Sequence, residues 1–157
     1  MKRYQCYRFP LGEIILAEED GCISRLCFEG SDKAEVVRNF ERGETPLIKK
    51  AAKQLEEYFA GKRKIFDLPL YFEGTDFQKK VWAALLTIPY GETRSYGEIA
   101  KQVGNPKGPR AVGMANNRNP ISIICPCHRV IGADGSLVGF GGGLDKKQFL
   151  LDLERGS

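Results

Sequence analysis

Ser95-Tyr96-Gly97-Glu98-Ile99-Ala100-Lys101-Gln102-Val103, then Gly104-Asn105-Pro106-Lys107-Gly108, then Pro109-Arg110-Ala111-Val112-Gly113-Met114-Ala115-Asn116-Asn117 reads as two helices broken by a turn. The glycines and proline of the middle stretch forbid a continuous helix, and Pro109 suits a first helical position, where no amide hydrogen is needed. Helix, short glycine-containing turn, helix is the outline of a helix-turn-helix. The second helix carries small side chains, Ala111, Gly113 and Ala115. Its backbone can therefore approach a neighbour closely, either a nucleic-acid groove or the protein's own core.

Upstream of this pair, Asp76 caps a helix in which Phe77, Val81, Trp82, Leu85 and Leu86 form one apolar stripe, ended by Ile88-Pro89-Tyr90-Gly91. Downstream, Leu144 through Leu153 reads as an amphipathic helix with Phe149, Leu150 and Leu153 inward. The first half differs. Tyr4–Phe9, Glu13–Glu18 and Cys22–Phe28 alternate or run apolar as strands do, and Pro10-Leu11-Gly12 and Asp20-Gly21 supply two tight hairpins. A helix follows from Pro46 to Ala60, with Thr45 as N-cap and Gly61 as stop. Lys62–Gly74, with Pro69 and Gly74, reads as a linker carrying one strand. The expected organisation is a small α/β domain over residues 1–73, strands plus helix, followed by a mostly α domain over residues 74–157 that holds the helix-turn-helix.

At 157 residues and 17.5 kDa the chain suits one domain or two small ones, and 42% hydrophobic residues can fill a core. The longest apolar runs, such as Val81–Leu86, fall far short of the roughly 20 residues that cross a bilayer, so no membrane partner is expected. Charge is uneven. Residues 1–73 hold 13 basic against 13 acidic side chains, and residues 74–157 hold 11 against 7. Between Arg94 and Arg129 six basic residues face one acid, Glu98, which suits an anionic partner. Five cysteines, at 6, 22, 27, 125 and 127, follow no secretory signal, so a disulfide framework is a poor reading. One histidine, far in sequence from Cys6, Cys22 and Cys27, gives a zinc site weak support, and no metal or cofactor is expected.

Residues 121–131, Ile-Ser-Ile-Ile-Cys-Pro-Cys-His-Arg-Val-Ile, form an apolar segment that abruptly presents Cys127, His128 and Arg129. A thiol attacks as thiolate, and at an ordinary pKa of about 8.5 little of it is ionised near neutrality. An activated cysteine thus needs a basic or cationic neighbour, and His128 is the only imidazole in the chain. Adjacent residues of an extended chain point to opposite sides, so the pair communicates only across a bend, for which Pro126 is suited, or through a bridging water. A base of this kind also needs an orienting carboxylate. Asp134, Asp145, Asp152 and Glu154 are candidates, and spacing does not choose among them.

Pro126-Cys127-His128-Arg129-Val130, together with Ile88-Pro89-Tyr90-Gly91-Glu92-Thr93, Ser95-Tyr96-Gly97-Glu98-Ile99-Ala100 and Arg110-Ala111-Val112-Gly113, resembles the O6-alkylguanine-DNA alkyltransferase family. The resemblance extends over residues 74–154 through Asn119-Pro120, the glycine-rich Gly139–Gly143 and Leu150-Leu151-x-x-Glu154, while residues 1–73 match in layout only, that of a ribonuclease H-like domain. It implies single-turnover DNA repair. Cys127 would accept the alkyl group from O6 of guanine, and O4-alkylthymine is a second candidate substrate. His128 would activate the thiol through water, Glu154 would orient the imidazole, and Asn119 would join the second helix to the active-site segment. Tyr96 would help to protonate the departing base, and Arg110 would enter the duplex in place of the flipped nucleotide. The resemblance also assigns Tyr96, Gly97, Asn105, Arg110, Ala111, Gly113 and Ala133 to DNA binding and Val130, Phe140, Gly141 and Gly142 to the alkylguanine pocket. No cofactor is implied. The partner is double-stranded DNA containing O6-alkylguanine, met by a monomer in the cytoplasm of a prokaryote or the nucleus of a eukaryote.

Two departures stand out. Phe140 takes a place where relatives often carry tyrosine, and Cys125 replaces a branched apolar residue two positions before the expected nucleophile. Three competing readings remain: a helix-turn-helix module that binds alkylated bases without chemistry, which the presence of Cys127 disfavours; a thiol redox sensor using Cys125 and Cys127, which leaves the basic helix pair unexplained; and a purely structural role for the segment. If basic side chains dock on phosphates, they release counterions, so duplex affinity measured by anisotropy falls steeply between about 50 and 200 mM salt. A flat salt dependence would contradict that docking surface.

Overall fold

The computed structural model describes residues 1–104, 108–137 and 143–156, apart from the side chain of Ser31. It divides into two compact units, Met1–Phe72 and Glu73–Ser157.

The first unit begins with three antiparallel strands, β1 (Lys2–Phe9), β2 (Gly12–Glu19) and β3 (Cys22–Cys27). The β2–β3 turn places Asp20 and Gly21 at φ 51° and 81°, the left-handed geometry that a two-residue hairpin requires. A short strand β4 (Glu41–Arg42) adds parallel to β1, giving the order β3-β2-β1-β4. β2 is central, and Ile14, Ile15, Leu16 and Ala17 are all fully buried because both faces of the sheet are covered. Ile15 and Ala17 pack with Tyr4, Cys27, Val36 and Phe40 on the side of α1 (Ser31–Asn39). By strand alternation Ile14 and Leu16 face the other side, where α2 (Pro46–Phe59) buries Ile48, Ala51, Leu55 and Tyr58. Thr45 caps α2 as expected, accepting from the Ile48 amide at 3.1 Å.

α1 and β4 were not legible in the sequence. α1 has only Val36 fully inward among its apolar residues and no side-chain cap, so it shows no apolar stripe. The strand expected in 62–74 is reduced to one bridge, Ile23 with Leu70.

The second unit is built on α3 (Asp76–Leu85), α4 (Tyr96–Gln102) and α5 (Pro109–Asn117). α4 and α5 occupy the stretches expected for the helix-turn-helix, and residues 105–107 of the intervening turn lie outside the described residues. The cap of α3 is Thr75, one residue before the expected Asp76: its hydroxyl accepts from the Gln78 amide while the Gln78 side chain accepts from the Thr75 amide. Ser95 and Glu98 form the same reciprocal box at the start of α4. Leu86, expected on the stripe of α3, is the exposed C-cap that follows it. Trp82 is buried in that helix, and its indole Nε1 donates to the Ala115 carbonyl of α5 at 2.9 Å. The two helices are thereby fixed in register with each other. A short parallel pair, β5 (Arg94–Ser95) with β6 (Val130–Ile131), ties the start of α4 to the end of the Cys127-bearing segment. The final helix, α6 (Leu144–Gly156), buries Lys147, Leu150, Leu151 and Glu154. Phe149, expected inward, is 38% exposed because it falls off the stripe those four residues define.

Among the described residues no helix is long and apolar enough to cross a membrane. Replacing Trp82 by phenylalanine removes the buried indole N–H and leaves the Ala115 carbonyl only its bond from the Arg118 amide. We expect a loss of about 1–3 kcal/mol in unfolding free energy, measured by urea titration; an unchanged midpoint would contradict the role given to the indole.

Candidate active site

The segment after α5 is no extended strand. Ile123 adopts φ 70°, a costly conformation for a β-branched side chain, and Pro126 leads into one turn of 3-10 helix, Cys127–Arg129. The bend expected near Pro126 is therefore present, and all three side chains of the turn are buried. His128 is 0% exposed and Cys127 3%. Burying an imidazole and a guanidinium demands partners.

Glu154 of α6 supplies them. Its Oε2 lies 2.7 Å from His128 Nε2 and accepts from Arg129 Nη2 at 3.0 Å. Its Oε1 accepts from Arg129 Nε at 2.8 Å and from the Gly91 amide at 3.3 Å. Arg129 also donates from Nη1 to the Ile88 carbonyl at 2.8 Å and lies over the Tyr90 ring. Burial alone would raise the Glu154 carboxyl, but the hydrogen bonds and charges of His128 and Arg129 outweigh it and hold the group below the usual carboxylate range. An ionised Glu154 accepts, so His128 Nε2 carries the proton and Nδ1 is left as a lone-pair acceptor. That Nδ1 is buried with no hydrogen-bond partner among the described residues. Burial also pushes the imidazole below its ordinary pKa, against the pull of Glu154, so it is neutral at neutral pH. The other three acids do not reach it. Asp134 accepts from Ser136 in an exposed turn, Asp152 accepts from Gln148, and Asp145 is exposed.

Burial raises the Cys127 thiol, and contacts with Asn119 and Ser122 and the charge of Lys147 pull the other way. Cys125 is raised further, with no cation near enough to offset burial, and its Sγ lies 3.6 Å from the Trp82 carbonyl. It packs as a small apolar residue. Asn119 spans the bend, donating to the Cys125 carbonyl at 2.7 Å and accepting from the Ile121 amide at 3.0 Å.

Lys147 was not singled out from the sequence. It is fully buried on α6, donates to the Val130 carbonyl at 2.6 Å, and places Nζ 5.9 Å from the Tyr96 ring centroid. Burial lowers it to about 8, partly countered by the charge of Cys127, so it remains mostly protonated at neutral pH. A signal existed: Lys147, Leu150, Leu151 and Glu154 recur at helical spacing, which sets two charged residues on an apolar stripe.

The expected DNA-contacting residues divide by exposure. Arg110 and Ala133 are exposed, and Gly97, Ala111, Gly113 and Tyr96 are half-buried. A Cβ on Gly113 would stand 3.8 Å from two carbons of the Tyr96 ring, so the ring rests against α5. Burial and the nearby Cys127 charge raise the Tyr96 phenol, which is protonated at neutral pH. Val130 is fully buried beside the reactive turn. Asn105, Phe140, Gly141 and Gly142 lie outside the described residues. Among the described residues no group of three or more metal-ligating side chains is gathered.

Comparison with known proteins matches both units to one family. Residues 76–156 match the 6-O-methylguanine DNA methyltransferase DNA binding domain, and residues 2–72 match the ribonuclease-like domain of the same proteins. A methylated-DNA–protein-cysteine methyltransferase of Methanosarcina acetivorans is 55% identical over 152 residues, spanning 96% of this chain and 97% of that protein. The constitutive methylated-DNA–protein-cysteine methyltransferase of Bacillus subtilis is 52% identical over 159 residues, spanning 99% and 96%. The crystal structure of Mycobacterium tuberculosis OGT in complex with DNA superposes with a TM-score of 0.89 at 48% identity, covering 98% of this chain and 93% of that one.

The Glu154 cluster makes a pH prediction. Its carboxyl is held below the unfolded value of 4.5, so the folded state gains from ionisation in full above that value and loses the gain as pH falls below it. Glu154→Gln should cost about 3–5 kcal/mol at neutral pH by leaving the buried Arg129 cation without its partner, and the gap to the unsubstituted chain should narrow as pH falls from about 5 to about 3. A gap in urea unfolding that stays constant over this range would contradict the assignment.

Proposed function

From the membership of this chain in the methylated-DNA–protein-cysteine methyltransferase family, whose chemistry repairs O6-methylguanine in DNA by moving the methyl group to one of the protein's own cysteines, we propose that the accepting cysteine is Cys127. The observation that carries this reading is the histidine–carboxylate pair held on the residue after Cys127. Of the five cysteines, Cys127 alone stands next to an imidazole whose outer nitrogen is pinned to an ionised carboxylate and whose inner nitrogen is left to accept.

The thiol proton passes through a bridging water to His128 Nδ1, and the resulting imidazolium is stabilised by Glu154. The Lys147 charge favours the thiolate in a setting where burial opposes it. The sulfur attacks the alkyl carbon, the S–C bond forms, and the C–O6 bond breaks with its electron pair going to the purine. Tyr96 supplies a proton to the departing base, so that guanine leaves neutral. The product is a thioether, a stable S–C bond without a good leaving group. Each molecule acts once.

Guanine O6 is inaccessible inside a stacked duplex, so the nucleotide must be flipped out. Arg110, exposed near the N-terminus of α5, fills the gap it leaves, and the small Ala111 and Gly113 let this helix lie close in the minor groove. Gly97, Asn105 and Ala133 complete the contact with duplex DNA carrying O6-alkylguanine, and Val130, Phe140, Gly141 and Gly142 line the base pocket. The protein acts as a monomer in the compartment that holds the DNA, the cytoplasm of a prokaryote or the nucleus of a eukaryote.

Incubation with O6-methylguanine DNA followed by peptide mass analysis should add one methyl group, about 14 Da, to the peptide containing Cys127, and Cys127→Ala should gain nothing. Methylation of the alanine variant, or of a different cysteine, would overturn the proposal. Arg110→Ala should slow transfer from duplex DNA more than transfer from free O6-benzylguanine; equal losses on the two substrates would contradict the flipping role.

A further inference from the structure

Asn116 is a buried amide that the chemistry above does not use. It lies on the inward face of α5, 2% exposed, and its Nδ2 donates to the Cys127 carbonyl at 3.3 Å. The same side chain meets the Tyr96 hydroxyl in a contact that favours the phenolate, as an N–H donor does. Its Oδ1 is buried without a partner among the described residues. Rotating the amide by half a turn would set Oδ1 against the Cys127 carbonyl, acceptor facing acceptor, so the orientation is fixed by the backbone of the nucleophile. An apolar side chain would leave no orphaned oxygen here. An amide held in this way has its use in the nitrogen. A hydroxyl that accepts from an amide sends its own proton to a different acceptor.

We propose that Asn116 is a positioning residue: it holds the Tyr96 hydroxyl as an acceptor, so that the Tyr96 proton is aimed at the departing purine, and it links α5 to the backbone of Cys127. Gly113, three residues earlier on the same helix, supports the face of the Tyr96 ring, so one helix sets both the plane of the phenol and the direction of its proton. This rests on the roles given above to Cys127 and Tyr96.

The test is benzyl transfer from free O6-benzylguanine, which needs no DNA, followed by intact mass for Asn116→Leu and Asn116→Ala, each alone and combined with Tyr96→Phe. Leucine keeps the volume, and alanine provides a variant that cannot overpack; thermal unfolding identifies the folded ones. Each folded Asn116 variant should slow transfer by about tenfold or more when Tyr96 is present and by less than about twofold when it is phenylalanine, the signature of one residue acting through the other. Equal factors in the two backgrounds, as a merely structural role gives, would overturn the proposal, as would unchanged rates in the single variants. Unsubstituted protein that takes up no benzyl group would overturn the reading of Cys127 and the proposal with it.

Discussion

The chemistry of the second unit depends on one ionised carboxylate held inside protein. Glu154 is 4% exposed and receives hydrogen bonds from His128, Arg129 and the Gly91 amide. A lone carboxylate in that position would protonate. Three groups from two places in the chain, the His128-Arg129 pair and Gly91, keep it charged, and in return it fixes each of them. Arg129 is locked by a two-pronged contact, the Gly91 turn is drawn to α6, and the imidazole is forced into one tautomer. Remove the charge and the histidine loses both its orientation and the reason for its proton to sit on Nε2.

The proposed nucleophile is not activated by a depressed pKa. Burial raises the Cys127 thiol, so the resting group is protonated and shielded, and reactivity waits on a proton acceptor rather than on a standing thiolate. This suits the single use proposed for Cys127, because a thiol closed to solvent is poorly placed for oxidation. Lys147 offsets part of the burial, and its own depressed pKa of about 8 records the strain of holding a cation there. Two orphaned buried atoms, His128 Nδ1 and Asn116 Oδ1, belong to residues next to Cys127 in the chain or bonded to its carbonyl, and Ile123 adds a strained backbone four residues before it. Such costs gather where chemistry is done.

Much of this was legible in the residues themselves. Hairpin turns at Asp20-Gly21, the Thr45 cap and the pair of helices around 104–108 follow from local rules that tertiary contacts did not override. The bend at Pro126 was readable as well. What escaped has physical causes. α1 is held by the sheet it covers and shows no stripe of its own. Glu154 could not be separated from Asp134, Asp145 and Asp152 by spacing, because the contact joins residues 26 apart through folding; only the resemblance chose it. Lys147 was passed over because a lysine on a helix ordinarily faces water. It announced itself only by standing on the same face as Leu150, Leu151 and Glu154.

With one histidine in the chain, the tautomer can be read without assignment by selective 15N labelling of the imidazole. The account predicts a neutral ring at neutral pH, with the proton on Nε2 coupled to Glu154 and a bare Nδ1, and loss of that single tautomer in Glu154→Gln. A proton found on Nδ1, or a resting imidazolium at neutral pH, would contradict it, because no acceptor would then stand beside Cys127.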